Sequence, residues 1–344
     1  MAAAAGSRLE ASAAPARFPA PASSPFDGIK IKSAALKFIE KCARDDGGYS
    51  PSPDPQYPGS SDTGESDLAA VTYAATLART VGWKLPHPER SAEFIQRHQQ
   101  PSGVFKNFQG KLDPKEDLAV LYNTTQGVVS LRALGAKPRS APVHVMDRFF
   151  EKGAFKKLPW YTLSFYPLFY AALGKPFPAE QRAAIAQHMV ENQAADGYLG
   201  DHVAATFHMV HFFRLIGQPT PRAEAMVKRV LRDQRPDGGW HLKPPDWDVH
   251  ACFDAVFILR QLSWNSPPSR AAIQRAAQWA LACQTPDGGF SHYPHEHADM
   301  DAVYFQFGTL IQAEQIPGAN YDLPDGQTLS WGHAMKPGRV YAQS

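Results

Sequence analysis

Cysteine is scarce: Cys42, Cys252 and Cys283 stand far apart in a chain of 344 residues. An odd, scattered set of thiols argues against a disulfide framework and fits a reducing compartment, so a cytoplasmic location is expected. No apolar run approaches the length of a membrane span, and the first residues lack the apolar core of a signal peptide. Neither sign of charge is in excess. The 35 basic and 33 acidic residues leave a net charge of +2, which gives no reason to expect a nucleic acid or an acidic membrane as partner. The composition that remains is 44% hydrophobic and 20% charged, ordinary for a globular chain with a large core. Residues 1–25 are mainly Ala, Pro and Ser and would bury too little to offset their ordering entropy, so they read as a disordered N-terminus. Residues 318–344 are polar, with Gly and Pro, and read as an irregular tail. One domain is expected over 26–317.

Within that span a turn recurs six times. Its forms are Asp46-Gly47-Gly48-Tyr49, Ser102-Gly103-Val104-Phe105, Lys152-Gly153-Ala154-Phe155, Asp196-Gly197-Tyr198, Asp237-Gly238-Gly239-Trp240 and Asp287-Gly288-Gly289-Phe290. The last glycines fall at 48, 103, 153, 197, 239 and 289, a period of roughly fifty residues that suits a helix hairpin. Each unit opens with an amphipathic helix, as in 271–281, followed by Gln or Asn, the turn, and a second helix that is apolar on most faces, as in 253–259. Asp67, Asp117, Asp201, Asp248 and Asp299 stand where N-caps of the second helices are expected, and the third unit has Trp160-Tyr161-Thr162 instead. Leu134-Gly135, Leu173-Gly174 and Ile216-Gly217 read as helix ends. The prediction is an all-α chain, an (α/α)6 barrel or toroid of six helical-hairpin repeats. Its inner helix N-termini would share one rim suited to anions such as diphosphate.

The units Gln234 to Trp240 and Gln284 to Phe290 resemble the repeats shared by protein prenyltransferase β subunits and by squalene and class II terpene cyclases. The resemblance covers roughly residues 30–316 and is nearest the geranylgeranyltransferase type β subunits. It implies the toroid but not the reaction. The family's zinc site is Asp-x-Cys at the fifth inner helix plus His on the sixth. The matching positions are Asp248, His250 and Asp301, with His250 replacing the Cys. The resemblance thus implies a divalent metal, zinc or another ion tolerating carboxylate and imidazole, with these three residues as its ligands and as catalytic groups. It implies His202 and Lys243 as binders of a prenyl diphosphate; the family's second basic residue is missing. It also implies an isoprenoid diphosphate substrate, and an α-type partner subunit or protein acceptor. The leading expectation is therefore metal-assisted prenyl transfer.

Two other readings stay open. Asp299-Met300-Asp301-Ala302 resembles the Asp-x-Asp-Asp of class II cyclases, whose middle Asp is a general acid; Asp301 would then protonate an alkene. Alternatively the toroid only binds, and Asp248, His250 and Asp301 serve as caps and core. His292, His295 and His297 with Glu296 form a dense loop cluster without a recognisable metal spacing, and His208 and His211 read as interior histidines. Tyr73, Tyr122, Tyr161, Phe165, Tyr166, Phe207, Phe253 and Tyr304 fall on the second helices. Some of them are expected to line a cavity suited to an isoprenoid chain and its cations.

Overall fold

A computed structural model of the chain describes residues 26–243 and 249–319. Six helix pairs follow one another. The outer members are α1 (Gly28–Lys41), α4 (Pro88–Arg97), α6 (Val143–Phe150), α8 (Ala179–Asn192), α10 (Ala223–Arg232) and α12 (Pro267–Ala282). The inner members are α3 (Ala69–Val81), α5 (Asp117–Ala133), α7 (Phe165–Leu173), α9 (Val203–Leu215), α11 (Val249–Ser263) and a composite sixth. That last runs as α13 (Met300–Ala302), a π turn (Val303–Phe307) and α14 (Gly308–Gln312). A five-residue helix, α2 (Ser61–Glu65), precedes α3, and 3₁₀ segments at Glu151–Lys157 and Trp160–Ser164 lead into α7. Among the described residues extended structure is limited to isolated bridges, so the all-α prediction holds.

The sequence pattern explains which helix faces in. Outer α8 buries Gln181, Ile185 and Met189, and α10 buries Met226 and Val230; this is one stripe at a spacing of four. Inner α5 is buried without a break from Ala119 to Leu131. Inner helices touch in chain order, and α13 returns to α2 and α3, which closes the ring.

Each turn locks its own pair to the next. Gly47, Gly103, Gly197, Gly238 and Gly288 have φ between 88° and 99°, a region that L side chains rarely adopt. In four of these five turns an Asp precedes the glycine and accepts from the backbone two residues on, as Asp46 Oδ1 does from Gly48 N at 2.9 Å and Asp237 Oδ1 from Gly239 N at 3.0 Å. The aromatic that follows is buried in all six turns, worth about 2 kcal/mol each. The preceding Gln has a structural purpose. Gln193 Nε2 donates to its own Gly197 carbonyl at 2.8 Å and to the Pro221 carbonyl of the next repeat at 2.9 Å; Gln234 does the same with Gly238 and Ala272. The sixth turn packs on the first repeat: a Cβ on Gly288 would lie 2.6 Å from the Ala34 carbonyl oxygen.

The expected Asp caps are mostly something else. Among the described ones only Asp299 caps its helix as anticipated, its Oδ1 accepting from Ala302 N at 2.8 Å. Asp67 instead holds His98 Nε2 at 3.0 Å and Phe108 N at 3.1 Å, and α3 starts two residues later. Asp117 pairs with Arg148, and Asp201, at φ 56°, with Arg229. A short carboxylate near a helix start bonds a neighbour's cation as readily as its own backbone. Asp248 lies outside the described residues. All three cysteines are free and buried.

Candidate functional site

The inner helix N-termini surround a cavity of about 400 Å³. Its wall is largely aromatic and aliphatic, with Tyr122, Tyr161, Phe165 and Phe305 among its rings. Its polar members are Asp62, Glu65, His202, His208, His250 and Asp254. No Lys or Arg is among the described wall residues.

Three groups meet at one corner: Asp62 from α2, His250 from the first turn of α11 and Asp301 from α13. One ligand-type atom of each lies within 4.8 Å of the other two. His250 Nε2 is 3.7 Å from Asp301 Oδ1, and the His250 ring stacks on Phe305 at 3.7 Å between centroids. The π turn carries that phenylalanine, a disposition common beside functional groups. The Tyr73 hydroxyl donates to Asp62, and Tyr73 in turn stacks on Tyr304 at 4.2 Å. Asp62 and His250 lie on the cavity wall, with Asp301 behind them, completely buried.

Among the described residues neither Asp301 oxygen has a partner at hydrogen-bond distance, His250 Nε2 standing just beyond it at 3.7 Å. Burial, reinforced by the neighbouring Asp62 and Asp299 carboxylates and opposed by His250, pushes the Asp301 carboxyl up to about 7. Behind it lies a second layer. His292 Nε2 sits 3.5 Å from Asp299 Oδ1, 3.7 Å from Asp301 Oδ2 and 2.6 Å from Ser60 Oγ. Ser60 Oγ and Tyr57 OH both donate to Asp299, the latter at 3.0 Å. Burial alone would pull the His292 imidazole down, but the Asp299 and Asp301 carboxylates override it and leave it raised. The rest of the histidine loop, His295 to His297, is exposed and forms no cluster with it.

The structure therefore joins two of the three expected ligands, His250 and Asp301. Asp62, which the sequence pattern did not single out, stands with them, and the third expected ligand, Asp248, lies outside the described residues. His202 caps α9, with Nδ1 accepting from Ala205 N at 3.4 Å, and lies on the cavity wall. Lys243 is exposed and off that wall, although the Val203 N to Leu242 O bond, at 2.9 Å, keeps its segment beside His202. A tetrahedral zinc with ~2.1 Å bonds sets its ligands about 3.4 Å apart. The 3.7 Å His250–Asp301 pair is near that spacing and the full trio is wider. The donor set is carboxylate and imidazole without thiolate, which suits zinc, manganese or iron alike.

The prenyltransferase α/α toroid domain model matches residues 26–132 and 144–331, and the chain belongs to that family. No curated protein matches it in sequence. Among solved structures it is similar to the type II terpene cyclase MstE from Scytonema, with a TM-score of 0.55 and 16% identity over 84% of this chain and 98% of that one. It is also similar to the Candida albicans protein geranylgeranyltransferase-I complexed with GGPP, with a TM-score of 0.56 and 11% identity over 78% and 91% of the two chains. A third is the ent-copalyl diphosphate synthase from Streptomyces platensis, with a TM-score of 0.51 and 15% identity over 71% and 50%. At these identities the likeness establishes the fold. No helix among the described residues is long and apolar enough to cross a membrane.

Proposed function

We propose that this chain is an isoprenoid cyclase of the proton-initiated, class II kind, with Asp301 as the proton source. The observation that carries the reading is the state of Asp301: wholly buried, without a close hydrogen bond among the described residues, raised to about 7, and one layer behind an aromatic cavity. A carboxyl that stays protonated near neutral pH is what alkene protonation requires. The sequence motif lacks its final Asp at Ala302, and Asp62 supplies a second carboxylate from another repeat. Asp62, on the wall, relays the proton from Asp301 to the alkene. The new C–H bond leaves a carbocation, which the rings of Tyr122, Phe165 and Phe305 stabilise as ring-forming C–C bonds close. A wall without Lys or Arg among its described residues favours a neutral polyprene chain inside, with any charged head group outside.

The test is product analysis of the purified chain. Two probes suit it: geranylgeranyl diphosphate, and geranylgeranyl dihydroxybenzoate, the substrate in a complex of the Scytonema cyclase. A cyclised isomer of unchanged mass supports the reading, and Asp301→Asn should abolish it. Release of diphosphate without cyclisation would refute it.

The trio of ligand-type atoms favours a second reading, metal-assisted prenyl transfer. Asp62, His250 and Asp301 would hold the ion, which would lower the pKa of an acceptor nucleophile. His202 and Lys243 would then be the diphosphate contacts. Metal content of the purified protein, with and without His250→Ala, decides it: no stoichiometric metal in either removes transfer as described.

A further inference from the structure

The acid corner is built by the first, fifth and sixth repeats. Across the ring, where the third repeat meets the fourth, the cavity wall carries a different group. His208 of α9 is 8% exposed, and its Nδ1 lies 2.8 Å from Ser164 Oγ, which ends the 3₁₀ segment before α7. Its ring is boxed by Phe207 at 4.7 Å, Phe165 at 6.0 Å and Tyr161 at 6.1 Å between centroids. Burial, with the charges of His211, His250 and His202, holds His208 well below its ordinary value. Near neutral pH it is therefore neutral, and a neutral imidazole accepts protons.

Resting on the cyclase reading, we propose that His208 is the base that ends the reaction. A cyclised carbocation one carbon from a C–H bond beside His208 loses that hydrogen as a proton. The C–H electron pair becomes a C=C bond, and an imidazole nitrogen gains the proton. Ser164 Oγ then accepts from Nδ1–H of the imidazolium and keeps the ring in place. One proton enters the substrate at the Asp301 corner and one leaves at His208, so substrate and product are isomers and no co-reactant is consumed. The position of the base relative to the acid fixes how far the chain has folded when it is quenched, so His208 sets which alkene forms. Asp254 is another buried acceptor on the wall, one turn beyond His250 and hence on the acid side of the ring.

The experiment is product analysis of the full chain and of His208→Phe, His208→Gln and Asp254→Asn with the two geranylgeranyl probes. If wild type cyclises neither probe, the cyclase reading fails and this inference falls with it. If wild type cyclises a probe, the histidine variants should still form rings. The wild-type alkene should drop at least tenfold as a share of product, replaced by alkenes with a shifted double bond or by water-captured alcohols. His208→Gln keeps a polar group beside Ser164, so it reports termination if His208→Phe fails to fold. An unchanged alkene from either folded histidine variant overturns the assignment, as does a product shift seen only in Asp254→Asn.

Discussion

Replacing Asp301 by Asn tests the central chemical claim without needing a substrate. The folded protein holds the Asp301 proton to about pH 7, whereas an ordinary Asp gives it up at 3.8. The difference is about three decades in proton affinity, at 1.36 kcal/mol per decade, or on the order of 4 kcal/mol. The sign follows from proton linkage. Between about pH 4 and 7 the folded state binds one more proton than the unfolded chain, so stability falls as pH rises through that window. The loss is complete above it and absent below it. Asn has the same shape and no charge, so it removes the loss. Asp301→Asn should resemble wild type near pH 4.5 and exceed it at pH 8, the gap widening by roughly 3–4 kcal/mol. Urea or thermal unfolding of both proteins at the two pH values, with chelator present, reads this out. An identical pH dependence would refute a buried neutral acid, as would an Asn variant that is the weaker protein at pH 8.

Three further outcomes are expected. Asp62→Asn removes one carboxylate that raises Asp301, so the upper end of the pH window over which stability falls should move below about 7 in urea unfolding; an unmoved window would separate the two groups. Gln193→Ala strips donors from two carbonyls in adjacent repeats and should cost about 2–4 kcal/mol in urea unfolding, with little effect on product identity. Gly288→Ala places a Cβ at φ 94° against the Ala34 carbonyl and should cost at least about 2 kcal/mol; a neutral effect on Tm would deny the sixth turn its part in closing the ring.

The six turns were readable because their residues answer local demands: Gly for a positive φ, Asp for the amide two residues on, an aromatic to bury. Gln before the turn was visible as a pattern, but its reason needed the next repeat in view. Helix N-termini were read less well, because Asp67, Asp117 and Asp201 serve neighbouring chains of contacts instead of their own backbones. His250 and Asp301 stood out by their positions at inner helix starts. Asp62 could not, since α2 has five residues, lies outside the recurring hairpin pattern of the first repeat and reaches Asp301 only because repeat six folds back on repeat one. No spacing along the chain encodes a contact made by closure. The one faint signal was a carboxylate in an otherwise small, polar loop, Ser60-Ser61-Asp62-Thr63-Gly64.

The ring has a consequence for how the molecule comes together. In an open array of repeats every neighbour is also close in sequence, and units can be added or lost at an end. Here Lys32 Nζ reaches the Pro317 carbonyl at 3.5 Å, and Met300 N donates to the Pro51 carbonyl at 2.7 Å, so two of the joining contacts span some 250 residues or more. The last hairpin can dock only when the first is already formed. Melting should therefore be all-or-none instead of unit by unit. A chain re-cut between repeats three and four, with residues 26 and 319 linked, would keep every neighbour it has now. The acid corner, assembled across the present seam, would then lie within one continuous run of chain.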